Sequence, residues 1–394
     1  MNNQLLIGWG SFPKELKLLL AFMKHEQDEM SLSNQRELSI DIDWDQFIQL
    51  VRHHRMSAII YDRLKKVSPS WIPANVSKAL YHDYHKNIFQ MLHLSGEVEC
   101  ICKLLAEHQI RSLLLKGPTL AVDLYGDISL RTSKDLDILV NINELDQVNK
   151  LLLEQGYITD DIVLSALNGW KWRQHHITYF HPHKRIYLEL HWRLNPGPSK
   201  EPSFDELWER KKINGLTSYP VYSLGEDDLF CYLVSHGARH GWFRLRWLAD
   251  IDILMRRQTD WKSLTLVMKK EYQLTMIGGQ ALNLASKLLD TPLSKDMEII
   301  ANRSRAGYLA RFALIFMKEA VDLHYNPPEN IARYLKSYLY AIKSKRQKLI
   351  FFLNFCYPYP IDAQTLSLPK YIHFLYLPLR PILWVWRKAR HVLT

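Results

Sequence analysis

Residues 113–140 read LLLKGPTLAVDLYGDISLRTSKDLDILV and contain the densest set of structural signals in the chain. An apolar run at each end predicts a buried strand, and Pro118 between them suits the first turn of a helix. Because side chains alternate along a strand, Asp135 and Asp137 should share one face while their apolar neighbours face a core. The stretch therefore predicts strand, loop, helix and strand, with two carboxylates on the second strand.

Two carboxylates at this spacing can hold one metal ion together. They suit Mg²⁺, because proteins bind this cation through a few carboxylates, waters and substrate phosphates. A simpler interpretation stays open, in which Asp135 and Asp137 are solvated or cap a neighbouring turn at the strand edge.

The loop before the helix has the composition of a phosphate-binding turn. Gly117 lets the backbone approach a phosphate, and the free amide groups of a helix that starts at Pro118 form an anion site. Basic side chains would neutralise phosphate charge, and hydroxyl groups would donate hydrogen bonds to it. The residues that we assign to nucleotide binding are Lys116, Gly117, Thr119, Arg131 and Ser133.

The combination of these motifs is more specific than its parts. Lys-Gly-x-Thr, followed by Arg-x-Ser-x-Asp-h-Asp with h apolar at the start of a strand, resembles the nucleotidyltransferase superfamily with the polymerase-β-like fold. Within it, residues 113–140 look most similar to the bacterial uncharacterised nucleotidyltransferases and, more distantly, to the AbiEii-type toxin nucleotidyltransferases. Many members of the superfamily have Gly-Ser at the loop, where this chain has KGPT at 116–119.

This resemblance implies both a fold and a reaction. The fold would be α+β, with a polymerase-β-like core of a small mixed sheet and helices, flanked by N- and C-terminal helical regions. The enzyme would use Mg²⁺ to move a nucleoside monophosphate from a nucleoside triphosphate, with ATP among the candidates, to an acceptor hydroxyl. A third carboxylate on a later strand, which helps to activate the acceptor hydroxyl, belongs to the same pattern.

The segment RIYLELHW at 185–192 offers this third carboxylate. Its alternation puts Tyr187, Glu189 and His191 on one face, opposite three apolar residues. We expect His191 to touch substrate or to orient a carboxylate, while an exposed sheet position without function is the alternative for Glu189. The predicted catalytic and metal-binding residues are Asp135, Asp137 and Glu189.

Several further histidines surround Glu189 and raise the question of a zinc site. No cysteine is nearby, and the rings are expected on both faces of a hairpin-like segment around Pro182, so we do not expect one. The histidines concerned, besides His191, are His175, His176, His181 and His183.

A segment dense in His, Arg and Trp, HGARHGWFRLRWLAD, begins at His236. His236, His240 and Arg244 are four residues apart and would share one helical face toward nucleotide or acceptor, with Arg246 nearby. The alternative is a packing helix in which Arg246 and Asp250 form a local salt bridge. The predicted substrate-binding residues are His191, His236, His240, Arg244 and Arg246.

The whole chain has 394 residues and an ordinary hydrophobic fraction of 47%, enough for two or three domains. Four scattered cysteines predict neither a disulfide framework nor a zinc site. We expect a cytoplasmic protein without signal or spanning segment, and attachment to a membrane surface stays open. The predicted regions are an N-terminal helical region (1–92), a catalytic core (93–224), a helical substrate-binding region (225–329) and a basic, aromatic-rich C-terminal region (330–394).

Charge is concentrated in residues 330–394, which have eleven Lys or Arg and one acid, Asp362. This difference equals the net charge of +10 of the whole chain. A basic end predicts an acidic partner, and the aromatic residues between the charges suit either RNA stacking or a membrane interface. A packed terminal region with extended basic side chains is the third interpretation.

The sequence predicts a Mg²⁺-dependent nucleotidyltransferase with an unidentified acceptor, which is a small molecule, a sugar, a peptide or an RNA 3′ end. A different class of protein also fits: a non-catalytic nucleotide-binding protein, or a membrane-surface scaffold of a biosynthetic complex. Three converging carboxylates would repel one another unless a cation offsets them, so convergence would favour a metal site.

Overall fold

Six strands form one mixed sheet in the computed structural model, which describes residues 11–25, 29–67, 69–159, 170–197, 199–258, 260–323, 327–357 and 359–392. They are β1 (Ser112–Leu114), β2 (Asp135–Val140), β3 (His176–His181), β4 (Ile186–His191), β5 (Lys212–Asn214) and β6 (Val221–Ser223). Their order across the sheet is β3-β4-β2-β1-β6-β5. β2 is parallel to β4 and β1 to β6, whereas the other neighbours are antiparallel.

Helices precede the sheet, as the sequence predicts. They are α1 (Lys14–Met23), α2 (Glu29–Leu38), α3 (Trp44–His53), α4 (Ser57–Val67) and α5 (Ala74–Glu107). The Asp43 carboxylate accepts a hydrogen bond from the Gln46 amide and caps the start of α3.

The long helix α5 runs through the predicted boundary between the N-terminal helical region and the catalytic core. It is continuous over 34 residues and crosses the predicted boundary at residue 92. Its first turns bury Val76 and Leu80 among the N-terminal helices, and later turns bury Met91 and Leu105 under the sheet. The apolar side of α5 therefore packs into two different hydrophobic cores. The predicted boundary at residue 92 lies close to the point where the helix passes from one core to the other.

Short helices connect the strands. They are α6 (Pro118–Tyr125), α7 (Leu145–Glu154), α8 (Trp170–Arg173) and α9 (Phe204–Glu209). Gly156 adopts the left-handed conformation just after α7 (φ 88°), as predicted for the end of that helix. Leu136, Ile138 and Val140 on β2 are buried in the core under the sheet, which confirms the predicted alternation.

The remainder of the chain is helical. Its helices are α10 (Glu226–Arg239), α11 (Leu245–Arg257), α12 (Trp261–Lys270), α13 (Thr275–Leu289), α14 (Lys295–Ala301), α15 (Ser304–Glu319), α16 (Glu329–Ala341), α17 (Lys345–Cys356), α18 (Pro360–Thr365) and α19 (Tyr376–Val392). Residues of α10–α15 share one hydrophobic core with α1, α3 and α4. The predicted architecture, a small mixed sheet with helical flanks on both sides, is confirmed.

A turn separates α10 from α11, so the predicted single helical face through Arg244 is wrong. Gly241 in this turn has φ 62°, which reverses the chain direction. Gly237 leaves room for the Trp242 ring, because a Cβ at this position would overlap it. His236 and His240 keep their four-residue spacing, and Arg244 follows the turn.

None of the described helices combines the length and the apolar character that crossing a membrane requires.

Candidate active site

The register between β2 and β4 brings the predicted carboxylates together. These strands are parallel, and Asp137 is directly paired with Glu189, while Leu139 is paired with His191. Directly paired residues present their side chains on the same face of a sheet. Asp137 and Glu189, which are 52 positions apart in the chain, are therefore neighbours in the sheet.

Asp137 lies at the centre of a compact ionic cluster. Its side chain is 1% exposed, and the Lys116 Nζ is 2.9 Å from its Oδ1 atom. The His191 Nε2 is 3.4 Å from the same Oδ1 atom and 3.2 Å from Glu189 Oε2. The ammonium and the imidazole thus separate the two carboxylates and offset their repulsion.

This cluster keeps its acids ionised. Burial alone would raise the pKa of Asp137, but the charge of Lys116 and the hydrogen bond from His191 outweigh it and hold that pKa well below its usual range. Burial alone would raise the pKa of Glu189, but the hydrogen bond from His191 and the charges of Lys116 and His191 together leave it lowered. Burial lowers the pKa of His191, yet hydrogen bonds to Asp137 and Glu189 leave it raised.

Asp135 lies in the same cavity wall but outside this cluster. Its Oδ1 accepts a hydrogen bond of 3.3 Å from the Ser133 hydroxyl. Burial and the neighbouring charge of Asp137 raise the pKa of Asp135. The two aspartates of the motif therefore have different environments: Asp137 is bound by cations, and Asp135 faces the cavity.

A divalent cation fits the cluster. Ligand atoms of Asp137, Glu189 and His191 all lie within 4.8 Å of one another. The buried Oδ2 atom of Asp137 has no hydrogen-bond partner among the described residues, so one ligand position is open. Carboxylate oxygens are the ligands that Mg²⁺ prefers.

A second possible metal group shares His191. Nitrogen atoms of His175, His176 and His191 also lie within 4.8 Å of one another. The expectation that the rings fall on both faces holds for His181, which packs against Tyr157, but it is wrong for His175 and His176. The antiparallel register pairs His176 directly with His191 and so puts them on one face.

The predicted phosphate loop has the expected backbone. Gly117 has φ 82° and ψ −147°, a conformation that side chains other than glycine rarely adopt, and Pro118 is the first residue of α6. The Thr119 hydroxyl donates to the Lys116 carbonyl at 3.0 Å, so it stabilises the turn from inside. The loop holds Lys116 over the cluster.

Arg131 is bound on two atoms by Asp250. Its Nε and Nη2 atoms donate to the two carboxylate oxygens at 3.0 Å each, and both side chains are at most 1% exposed. Arg246 instead donates to the Thr132 carbonyl, so the alternative of a local Arg246–Asp250 salt bridge is wrong. The Arg131 Nη1 atom has no partner in the described part of the chain, and the side chain lines the cavity.

The cavity has a volume of about 390 Å³ and gathers residues from distant parts of the chain. Lys116, Arg131, Ser133, Asp135, Glu189 and His191 line it. The predicted His236, His240, Arg244 and Arg246 line it as well.

Sequence reasoning missed four other lining residues: Arg55, Tyr232, Arg239 and Trp247. The last two belong to the His-, Arg- and Trp-rich segment, whose composition was the available signal. No sequence signal pointed to Arg55, because it lies in a turn between α3 and α4. Its φ of 56° is uncommon for a residue with a side chain.

The cationic side of the cavity is only partly neutralised. Lys116, Arg131 and Arg244 form ion pairs with Asp137, Asp250 and Asp322, respectively.

No ion pair joins Arg55, Arg239 or Arg246 to a carboxylate within the described ranges. Burial lowers the pKa of all three, that of Arg55 to about 10. Arg246 is buried and the other two are partly buried, and cations held away from water without a carboxylate partner are costly, so this cavity suits a multivalent anion.

A second groove of about 330 Å³ adjoins the cavity. The two share Arg55, Ser133 and Arg244, and the exposed Lys86 and Lys134 also line the groove. The nearby charge of Arg55 lowers the pKa of Lys134 more than burial does. The groove is therefore a positively charged approach to the carboxylates.

The sequence matches a family model described as an uncharacterised nucleotidyltransferase over residues 41–290. The chain belongs to this family. The matched range contains every residue that lines the cavity and ends well before the basic C-terminal region at 330–394. A search of curated proteins found no significant match.

We predict that Arg131→Met destabilises the protein strongly. The substitution leaves Asp250 as a buried charge without its guanidinium partner, which costs about 3–5 kcal/mol in the free energy of unfolding. Arg52→Met is the matched control, because Arg52 binds Asp83 through the same two atoms but is 52% exposed. It should cost at most about 1 kcal/mol in urea unfolding. Equal losses in the two variants would contradict a structural role for the Arg131–Asp250 pair.

Proposed function

We propose that this protein is a Mg²⁺-dependent nucleotidyltransferase that moves a nucleoside monophosphate from a nucleoside triphosphate to an acceptor hydroxyl. The observation that carries the proposal is the Asp137–Glu189 pair on adjacent parallel strands, beside a cavity lined by three arginines that have no carboxylate partner in the described ranges. Family membership supports the same class of reaction.

Asp137 and Glu189 would hold the Mg²⁺, with Asp135 as a further carboxylate from the cavity wall. When bound, the ion supplies positive charge that stabilises an in-line displacement at the α-phosphate. Lys116 Nζ is 2.9 Å from Asp137 Oδ1. This ammonium would therefore lie close enough to pair with a phosphate of a nucleotide bound beside Asp137. His191 is a positioning residue, because its hydrogen bond fixes Glu189.

The arginines provide the complementary half of the site. Arg246 is buried and Arg239 is partly buried, and neither has a carboxylate partner among the described residues, so a triphosphate would neutralise them without breaking an ion pair. Gly117 and the amide groups at the start of α6 would let phosphate oxygens approach the backbone. Thr119 and Ser133 would act indirectly, since their hydroxyls support the loop and Asp135.

Turnover separates this proposal from a non-catalytic nucleotide-binding scaffold. Purified protein is incubated with each α-labelled nucleoside triphosphate, Mg²⁺ and cell extract. We expect label transfer that chelation abolishes, and a loss of about 100-fold or more in Asp137→Asn and Glu189→Gln.

Asp146→Asn is the matched control, because Asp146 is exposed on α7 and should leave the rate unchanged. Nucleotide binding without transfer of label from any triphosphate would contradict the enzyme and favour the scaffold.

The groove beside the cavity indicates the class of acceptor. Arg55, Lys86, Lys134 and Arg244 line this approach, and no aromatic side chain is among its lining residues, so it suits an anionic molecule better than stacked bases.

We therefore propose an acceptor that carries phosphate or carboxylate groups near its hydroxyl. When the extract is separated by anion exchange, the fraction that accepts label should be the retained one. An acceptor found only in the unretained fraction would contradict this assignment but not the transferase.

A further inference from the structure

The C-terminal helix α19 and the turn before it expose apolar side chains to the surface, which is the reverse of the usual pattern of a surface helix. Every exposed residue between positions 371 and 389 whose side chain the structure describes is apolar. Tyr371, Phe374, Leu377, Ile382, Val385 and Trp386 are the largest of them, with exposed fractions of 42–80%. Leu377, Ile382, Val385 and Trp386 fall on one side of α19, and Tyr371 and Phe374 precede them in the turn; we call these six residues the outer stripe.

The charged side chains of α18 and α19 that the structure describes are instead buried or partly buried. Asp362 is fully buried and binds Arg380 at 2.7 Å and Arg387 at 2.8 Å. Tyr376 and Leu383 are buried on the same side of α19. A surface helix of a water-soluble domain normally buries its apolar face and exposes its charges, so water alone does not explain this orientation.

The exposed apolar surface is concentrated at this end of the molecule. Thirteen of the twenty-four large hydrophobic residues that are exposed in the described ranges lie between positions 340 and 386. They include Leu349 and Phe351 on α17, a helix that contacts α19. A large contiguous apolar surface marks a binding face for a protein or a membrane.

Charge decides between these partners. Asp362 is the one acid among residues 330–394, and its burial against two arginines removes it from the surface. Lys345 and Arg346 are exposed, whereas the side chains of Lys370, Lys388 and Arg390 lie outside the described set. The surface that meets a partner is therefore apolar and cationic, and two copies of the chain would oppose like charges.

We propose that residues 340–392 dock on the surface of an anionic lipid bilayer, with the outer stripe inserted at the level of the headgroups. Apolar and aromatic side chains would enter the acyl boundary, while lysines and arginines would contact anionic headgroups. An aliphatic stripe has no comparable use against RNA, which binds stacked aromatic rings and cations.

The docking region is attached to the wall of the catalytic cavity. Arg173 of α8 stacks on the rings of Tyr357 and Tyr359, at 4.6 and 4.2 Å from their centroids, and donates to the Tyr357 carbonyl. His175, two residues later, lines the cavity. A bound membrane would therefore lie against the same unit that carries the active site.

Sedimentation of the full-length protein with vesicles tests this proposal. We expect binding to vesicles of phosphatidylcholine mixed with phosphatidylglycerol, weaker binding to phosphatidylcholine alone, and release by high salt. Ile382→Ser with Val385→Ser should lower the partition coefficient at least about tenfold, because both side chains leave the acyl boundary.

Ile213→Ser with Ile299→Ser is the matched control, since these isoleucines are exposed to a similar degree, 71% and 63%, on other surfaces. This control should bind vesicles like the wild type, and thermal unfolding should show that both double variants fold. Absence of vesicle binding overturns the proposal, as does binding that the stripe substitutions leave unchanged. Preferential binding to RNA, or self-association that the same substitutions abolish while vesicles stay unbound, would also overturn it.

Discussion

Two neighbouring carboxylates that repel each other, the buried Asp137 and the partly buried Glu189, are the constraint on which the candidate site depends. The parallel pairing of β2 with β4 makes Asp137 and Glu189 neighbours, and neither can leave without shifting a strand. Lys116 and His191 compensate this charge from a loop and from β4 itself. The positive φ of Gly117, which holds the partly buried Lys116 beside Asp137, and the raised pKa of His191 serve the same electrostatic requirement. Lys116 is the internal cation that pairs with Asp137 in this arrangement.

The charges on the opposite wall complete this picture. A polyanion and its metal ion carry charges of both signs, and the cavity has a carboxylate side and an arginine side to match. Arg239 and Arg246 come from the two helices joined by the Gly241 turn, so the break in that helical segment directs both toward one cavity. The family match covers this whole assembly, whereas the inverted helix α19 lies beyond it.

Local patterns in the sequence predicted most of the carboxylate side. Strand alternation put Asp137 on the face of β2 opposite the apolar core and put Glu189 and His191 on one face of β4, the family resemblance singled out Glu189 as a third carboxylate, and the Gly-Pro pair located the start of α6. The arginine side depends on tertiary structure: Arg55 and Arg239 are 184 positions apart by their numbers, and no periodicity links them. The sequence also did not predict that Asp250 binds Arg131, because these two residues are distant in sequence. Arg246 lies four positions before Asp250 on the same helix, so local spacing favoured a salt bridge between those two instead. The predicted domain boundaries remain predictions, although α5 crosses the first of them.

A crystal structure of the protein with Mn²⁺ and a non-hydrolysable nucleoside triphosphate analogue tests the central claim most directly, because anomalous scattering locates the metal. The account predicts Mn²⁺ bound by carboxylate oxygens of Asp137 and Glu189, with phosphate oxygens against Lys116, Arg239 and Arg246. Mn²⁺ held only by His175, His176 and His191, or a nucleotide bound outside the cavity, would contradict it.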